Sequence, residues 1–405
     1  MPLSMLRSLP RTVWLLGLIS LLNDAASELV YPLLPLFVTT ALAAGPFALG
    51  LVEGSAEASA SLLKLVSGAW YDRGGRARPF VIAGYAVAAV ARPVIALAQS
   101  WPAVLGLRVA DRLGKGLRSA PRDALLSRSV PAAQLGAAFG VHRAFDNAGA
   151  VIGPLMAAAL LGVGMPVRHI LGWAVVPSVL CVMLALRVRE SGPPAAAQAR
   201  STEAARAKAW QWDALPRSFR RLLVAVGLFA LGNVSSVFFL LRASQLGTSS
   251  PQVALLWALV SSLSTMLSVP LSAWSDRIGR LPLLLAGWSL FGLLCFGFAG
   301  ATGPLIVWPL AAALGVYLAA TEGVERALVG DAVGPAQRGS AYGWYHLVRG
   351  GMLLPSAAWI GAVWQAFDAR WAFYGAGACT LLAGLLLLVW VRPSVPAAPS
   401  EQGAQ

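Results

Sequence analysis

Two carboxylates four residues apart sit inside an apolar run. Asp24 and Glu28 fall in "LLNDAASELVYP" (21–32), within a stretch from Val13 to Leu42 that is long and apolar enough to cross a bilayer. An ionisable group at mid-membrane depth costs roughly 2.5–3.5 kcal/mol on insertion scales. On a helix the two share a face with Ser20 and Tyr31. In a poorly hydrated site they repel each other and both lose solvation, which favours the protonated form of one. Such a group can take up a proton and give it back. The other reading is a permanent salt bridge to Arg108 or Arg112. Glu28, nearer mid-span, is the first candidate. Glu53 and Glu57 form a second pair at the same spacing; Glu57 is the better candidate, since Glu53 falls near one mouth.

The run 102–125 carries the densest charge. Arg108, Asp111, Arg112, Lys115, Arg118 and Arg122 recur at i, i+3, i+4, i+7, i+10 and i+14, within one helical face. This strip can bind an anionic group or hold Asp24 and Glu28 ionised; alternatively, Asp111 and Arg112 pair with neighbours and hold the fold together. In 135–162, His142, Asp146, Gly149 and Gly153 share a face, and small residues at that spacing allow close helix contact. His142 reads first as a satisfied hydrogen-bonding residue. Further on come Glu322, Glu325 and Arg326 at i, i+3, i+4, then Tyr345, His346 and Arg349, with Asn233 between. Trp257, Trp344, Tyr345 and Trp359 either stack on a ligand or sit at membrane interfaces.

The elements that carry these groups are read from composition. Of 405 residues, 58% are hydrophobic and only 12% charged, against about 25% charged in soluble domains. The net charge of +14 is spread through short loops, which fits orientation signals and not a nucleic-acid surface. Twelve spans are expected, near 12–41, 46–70, 79–98, 102–125, 135–162, 168–188, 219–245, 251–273, 281–300, 304–330, 338–365 and 369–391. The first is read as a span and not a removable leader. Basic residues favour the loops that would place both termini and the 189–218 segment in the cytoplasm. This divides the chain into a six-helix bundle (1–188), a cytoplasmic linker (189–218), a second bundle (219–392) and a disordered tail (393–405). Cys181, Cys295 and Cys379 lie in apolar segments without metal-ligand spacing, so neither a disulfide framework nor a metal site is implied. No HExxH, GxSxG, GxxxxGK[ST] or CxxC occurs, so nothing suggests an enzyme or a cofactor.

The halves repeat. "GAWYDRGGR" (68–76) returns as "SAWSDRIGR" (272–280), and "GAAFGVHRAFD" (136–146) as "GSAYGWYHLVR" (339–349). Order and spacing are both kept, which indicates a duplicated unit. Arg349 falls opposite Asp146 in this alignment, so a gate closed by their pairing is one expectation.

These residues resemble the major facilitator superfamily of secondary transporters. Its loop motif G-x-x-x-D-R-x-G-R is matched by Gly68, Asp72, Arg73, Gly75 and Arg76, and again by Asp276, Arg277, Gly279 and Arg280. "GAVIGP" is similar to the G-x-x-x-G-P element of the proton-coupled exporters, through Gly149, Gly153 and Pro154. The resemblance implies an all-α membrane protein of twelve helices in two pseudo-symmetric bundles, with spans 1, 4, 7 and 10 lining a cavity and 3, 6, 9 and 12 facing lipid. It implies a bacterial inner-membrane transporter, working as a monomer on a small molecule and protons, most simply exporting a drug or metabolite by proton antiport. Uptake or exchange of a small organic anion is the alternative; a membrane sensor or enzyme is the reading from another class. Proton coupling would fall to Asp24, Glu28, Glu57 and Asp146. The loop motif would steady one conformation, with Asp123 as a partner.

Overall fold

A chain crossing hydrocarbon must satisfy its backbone polar groups internally, and the helix does this within each segment. The computed structural model describes residues 9–72, 76–131, 134–189, 215–334 and 338–390, and its described residues form helices and no strands. Twelve spanning helices follow in order: α1 (Arg11–Ala41), α2 (Pro46–Asp72), α3 (Ala77–Leu97), α4 (Trp101–Arg128), α5 (Leu135–Gly162), α6 (Val167–Leu186), α7 (Arg217–Gln245), α8 (Ser250–Ile278), α9 (Arg280–Gly300), α10 (Pro304–Asp331), α11 (Arg338–Ala366) and α12 (Ala369–Trp390). α1 turns at Tyr31 and Pro32, and α7 is interrupted at 233–235. Most of the expected 189–218 linker and 393–405 tail lies outside the described residues.

The packing repeats between halves. α1 packs on α5 and α6, α2 on α4, and α3 on α4 and α6; likewise α7 packs on α11 and α12, α8 on α10, and α9 on α10 and α12. The halves meet through α2 against α11 and α5 against α8. Large exposed apolar side chains mark the outer helices: Val87 and Val90 on α3, Val179, Leu180 and Met183 on α6, Leu293 on α9, and Leu382, Leu385 and Leu388 on α12. These are the helices expected to face lipid. Arg92, near the far end of α3, is buried and turned toward the bundle.

Ten of these helices are apolar enough to cross a membrane by composition alone; α2 and α4 are not. The two polar helices pack on each other, so their charges meet inside the bundle instead of lipid. At the second loop motif, Gly279 has φ 93° between α8 and α9, a backbone conformation that glycine adopts without steric cost.

Candidate functional site

The close packing of α5 on α1 comes from the glycine ridge. A Cβ added at Gly153 would lie 2.6 Å from the Ala25 carbonyl oxygen and 2.7 Å from the Leu29 nitrogen, and one at Gly149 would strike the Leu21 carbonyl. Helices this close bring Asp24 on α1 and Asp146 on α5 within hydrogen-bonding reach of each other. Ser20 Oγ donates to Asp146 Oδ1 at 2.5 Å, and Asn23 Nδ2 donates to Asp24 Oδ1 at 2.8 Å. Ionised carboxylates only accept, so two carboxyl groups bond to each other only when one holds a proton.

Behind this pair lies a buried ionic cluster. Arg92 Nη1 donates to the Asn23 carbonyl and side-chain oxygens at 2.9 and 3.0 Å, and its Nε to Asp111 Oδ1 at 2.8 Å. Arg108 bridges Asp111 Oδ2 (3.3 Å) and Glu53 Oε2 (3.0 Å), while Arg112 Nε lies 2.7 Å from Glu57 Oε1. Three guanidiniums meet three carboxylates, so the cluster is neutral, as buried charge requires. Asn23 joins it to Asp24.

The two ends of the bundle differ. At the end away from the loop motifs, Trp257 on α8 donates Nε1–H to Glu28 Oε2 at 2.7 Å, and its ring lies 4.9 Å from that of Tyr31. A Cβ at Gly361 of α11 would meet the Pro46 carbonyl at 2.8 Å, so α2 and α11 touch backbone to backbone. This end is closed. At the motif end a cavity of about 420 Å³ lies between the halves, lined among others by Asp24, Lys64, Lys115, Asp146, Thr265 and Arg326. An adjoining chamber of about 320 Å³ shares Lys64 and Asp123 and adds His346.

The residues singled out in the sequence divide accordingly. Asp24, Lys115, Asp146, Glu322, Arg326 and Asp123 line the main cavity. Arg108, Asp111 and Arg112 do not: they are buried against α2 and α3, and the basic strip reaches the cavity only from Lys115 onward. Helical spacing placed all of them on one broad face, but the inner part of that face is covered by α2 and α3. Glu28 and Tyr31 belong to the closed end, not the cavity, and Glu57 is committed to Arg112. Glu28 is four residues from Asp24 but meets Trp257, because α1 at that depth abuts the second half. Arg349 bonds Glu325 (3.2 Å) and the Tyr345 hydroxyl (2.6 Å). The expected Arg349–Asp146 gate is therefore not formed; each partner is held within its own half. Among the described residues, the ion pair that crosses between halves is Arg143–Glu322, at 3.9 Å and exposed.

His142 is buried and its Nε2 has no hydrogen-bond partner among the described residues, contrary to its reading as a satisfied residue. The Asn233 carbonyl accepts from Ser356 Oγ at 3.2 Å at the break in α7. Of the loop motifs, Gly68 and Asp72 close α2, Arg73 lies outside the described residues, and Arg76 is exposed. Asp123 pairs with Arg122 at 2.9 Å. In the second copy Arg277 is exposed, and Arg280 contacts Asp276 at 3.6 Å and Asp331, the last residue of α10, at 2.5 Å. Pro154 is buried beside Gly153. Sequence reasoning left Lys64 and Asn23 out of the site and placed Ser20 on the face of Asp24 without giving it a role; the signal for each was a polar group on an otherwise apolar face.

Two interlocking six-helix bundles around a polar cavity carry their own implication, and the comparisons agree. A family model described as Major Facilitator Superfamily matches residues 16–350 and 222–405. The chain belongs to the major facilitator superfamily. An uncharacterized MFS-type transporter of Methanocaldococcus jannaschii is 30% identical over 389 residues, covering 94% of this chain and 95% of that one. The Multidrug resistance protein MdtH of Aeromonas hydrophila subsp. hydrophila is 28% identical over 346 residues, 84% of each chain. Among solved structures, the nucleoside transporter NupG superposes with a TM-score of 0.78 at 14% identity, covering 95% of this chain and 100% of that one. A peptide transporter POT gives 0.74 at 14% identity, with 95% and 97% covered. At such identities the likeness is one of fold. The chain is thus a multi-pass membrane transporter of this superfamily.

Proposed function

We propose that this superfamily transporter is proton-coupled, carries a small organic molecule by alternating access, and exports it in exchange for protons. The observation that carries the reading is the Asp24–Asp146 carboxyl pair, which lines the cavity and is held by Ser20 and Asn23. A proton shared there is exposed to the same space that cargo enters, so cargo and proton can exclude each other, which is what exchange needs. The motif end is taken as cytoplasmic from the basic loops, and the described conformation as the one open to that side. The similarity to a protein named for multidrug resistance supports export. Glu28 acts as part of the closure at the far end.

The test is a proteoliposome assay with an imposed pH gradient and a panel of organic ions. Wild type transports in response to the gradient. Asp24→Asn and Asp146→Asn lose gradient-driven transport but keep cargo-for-cargo exchange, whereas Glu28→Gln alters rate and keeps coupling. Gradient-independent transport by wild type and Asp24→Asn alike removes the proposal. A second reading, uptake or exchange of an organic anion, is favoured by Lys64 and Lys115, which have no ion pair among the described residues; it predicts that protons move with the cargo and not against it.

A further inference from the structure

The charges around the cavity do not balance locally, and the imbalance has a direction. Arg122 is answered by Asp123 at 2.9 Å and Arg326 by Glu322 at 3.0 Å, with Arg143 3.9 Å from the same Glu322 oxygen. Arg118 is turned into the bundle: its Nη1 donates to the Gly84 carbonyl at 3.4 Å and its guanidinium lies 4.5 Å from the Tyr85 ring centroid. Beyond the one surplus charge that Arg143 and Arg326 share at Glu322, Lys64 on α2 and Lys115 on α4 remain. Both are exposed to the cavity, they are near enough to repel each other, and neither has an ion pair within 4 Å among the described residues. An alternating-access cavity must close over its contents, and closing over two ammonium groups that line the same space sheds the water that now screens them. A counter-charge is needed at that moment. The wall formed by α1 and α5 has the opposite character, with Asp24 and Asp146 offering acceptors.

We propose that the cargo is a small amphoteric molecule whose acidic group, a carboxylate or a phosphonate, lies between Lys64 and Lys115 and whose amine takes the proton's place at Asp24–Asp146. The proposal rests on the proton-exchange reading above and names the cargo that the same site suits. A purely anionic cargo binds better when the carboxyl pair is protonated, which makes proton and cargo travel together. A purely cationic cargo faces two lysines. Only a molecule with both charges satisfies both walls and competes with the proton. The charge balance is simple: the ammonium enters, the shared proton leaves to the open side, and the charge at the carboxyl pair is unchanged. The cavity, at about 420 Å³, is at the small end of ligand pockets and suits a metabolite-sized molecule.

The experiment uses the full-length protein in detergent with ω-amino carboxylates from glycine to 6-aminohexanoate, their N-acetyl derivatives, their methyl esters and the matching aminoalkylphosphonates. Thermal stabilisation reports binding, and an indicator dye in weakly buffered solution reports proton release. The expected result is that at least one free amino acid or aminophosphonate both stabilises the protein and releases protons. Its N-acetyl and ester forms should bind tenfold or more weakly. Lys64→Gln and Lys115→Gln should each weaken binding about tenfold, with unliganded Tm unchanged and Lys64→Arg restoring affinity. The phosphonate arm tells which acidic group is preferred. Equal binding of the N-acetyl acid or the ester, or no binding across the series, overturns the proposal while leaving proton coupling to stand on the transport assay. Binding of a free amino acid without proton release overturns both the coupling and the amine's place at the carboxyl pair.

Discussion

Replacing Gly153 with alanine adds one methyl group at the point where α5 touches α1. That Cβ would lie 2.6 Å from the Ala25 carbonyl oxygen and 2.7 Å from the Leu29 nitrogen, whereas ordinary contact begins at 3.4 Å. The obstacles are backbone atoms, so the helices must separate locally by about 0.8 Å. Overpacking of this kind costs about 1–3 kcal/mol. The same displacement would lengthen the Ser20–Asp146 hydrogen bond from 2.5 Å to about 3.3 Å, beyond the usual range for O–H···O bonds. Gly140, on the same helix, is the control, since a Cβ there has nothing within 4 Å. Both substitutions gain about 0.8–1.0 kcal/mol of helix propensity, so the difference between them isolates the α1–α5 contact. Gly140→Ala should match or exceed wild type in thermal stability and keep its pH–transport profile. Gly153→Ala should fall below Gly140→Ala by about 1–3 kcal/mol and lose the proton dependence of transport. Equal stabilities, or an unchanged pH profile in Gly153→Ala, would refute the claim that the glycine ridge assembles the carboxyl pair.

Three further outcomes are expected. Asp111→Asn leaves Arg92 and Arg108 without their shared carboxylate and should destabilise the protein by about 3–5 kcal/mol, read as lost folded yield and lower Tm in detergent. Trp257→Phe keeps the ring beside Tyr31 but removes the donor to Glu28, a hydrogen bond worth about 1.5–3 kcal/mol when the acceptor is charged. It should therefore raise maleimide labelling of a Ser235→Cys probe, which sits beside Tyr31, in a background lacking the three native thiols; unchanged labelling counts against the latch. Arg280→Gln loses exposed contacts to Asp276 and Asp331, and such pairs contribute about 0–1 kcal/mol. Its Tm should barely move while transport slows, and a large Tm loss would show that the loop motif is a stability element instead.

Much of this architecture was legible before any coordinates. Apolar runs of membrane length, basic residues confined to certain loops and two motifs repeated in register pointed to a multi-pass helical protein built from a duplicated unit, because a bilayer permits few ways to hide a backbone, and the resemblance of the repeated loop motif to the superfamily implied the two-bundle arrangement. The charged faces were legible only as faces. Arg108, Arg112 and Lys115 share one side of α4, yet the first two are sealed against α2 and α3 and only Lys115 meets the cavity. Asp24 and Glu28 share one side of α1, yet one meets Asp146 and the other Trp257.

The sequence by itself determined which segments cross the membrane, that they come in two matching sets, and that each polar side chain within them must turn away from lipid. Tertiary structure alone decided which of those side chains meet. Helical periodicity gives the angle of a residue about its own axis, but not which neighbour lies at that angle and depth. Here that was settled by where backbones could approach most closely: at the glycines of α5, where Asp24 finds Asp146, and where α4 packs between α2 and α3, so that three arginines are neutralised before they reach the passage.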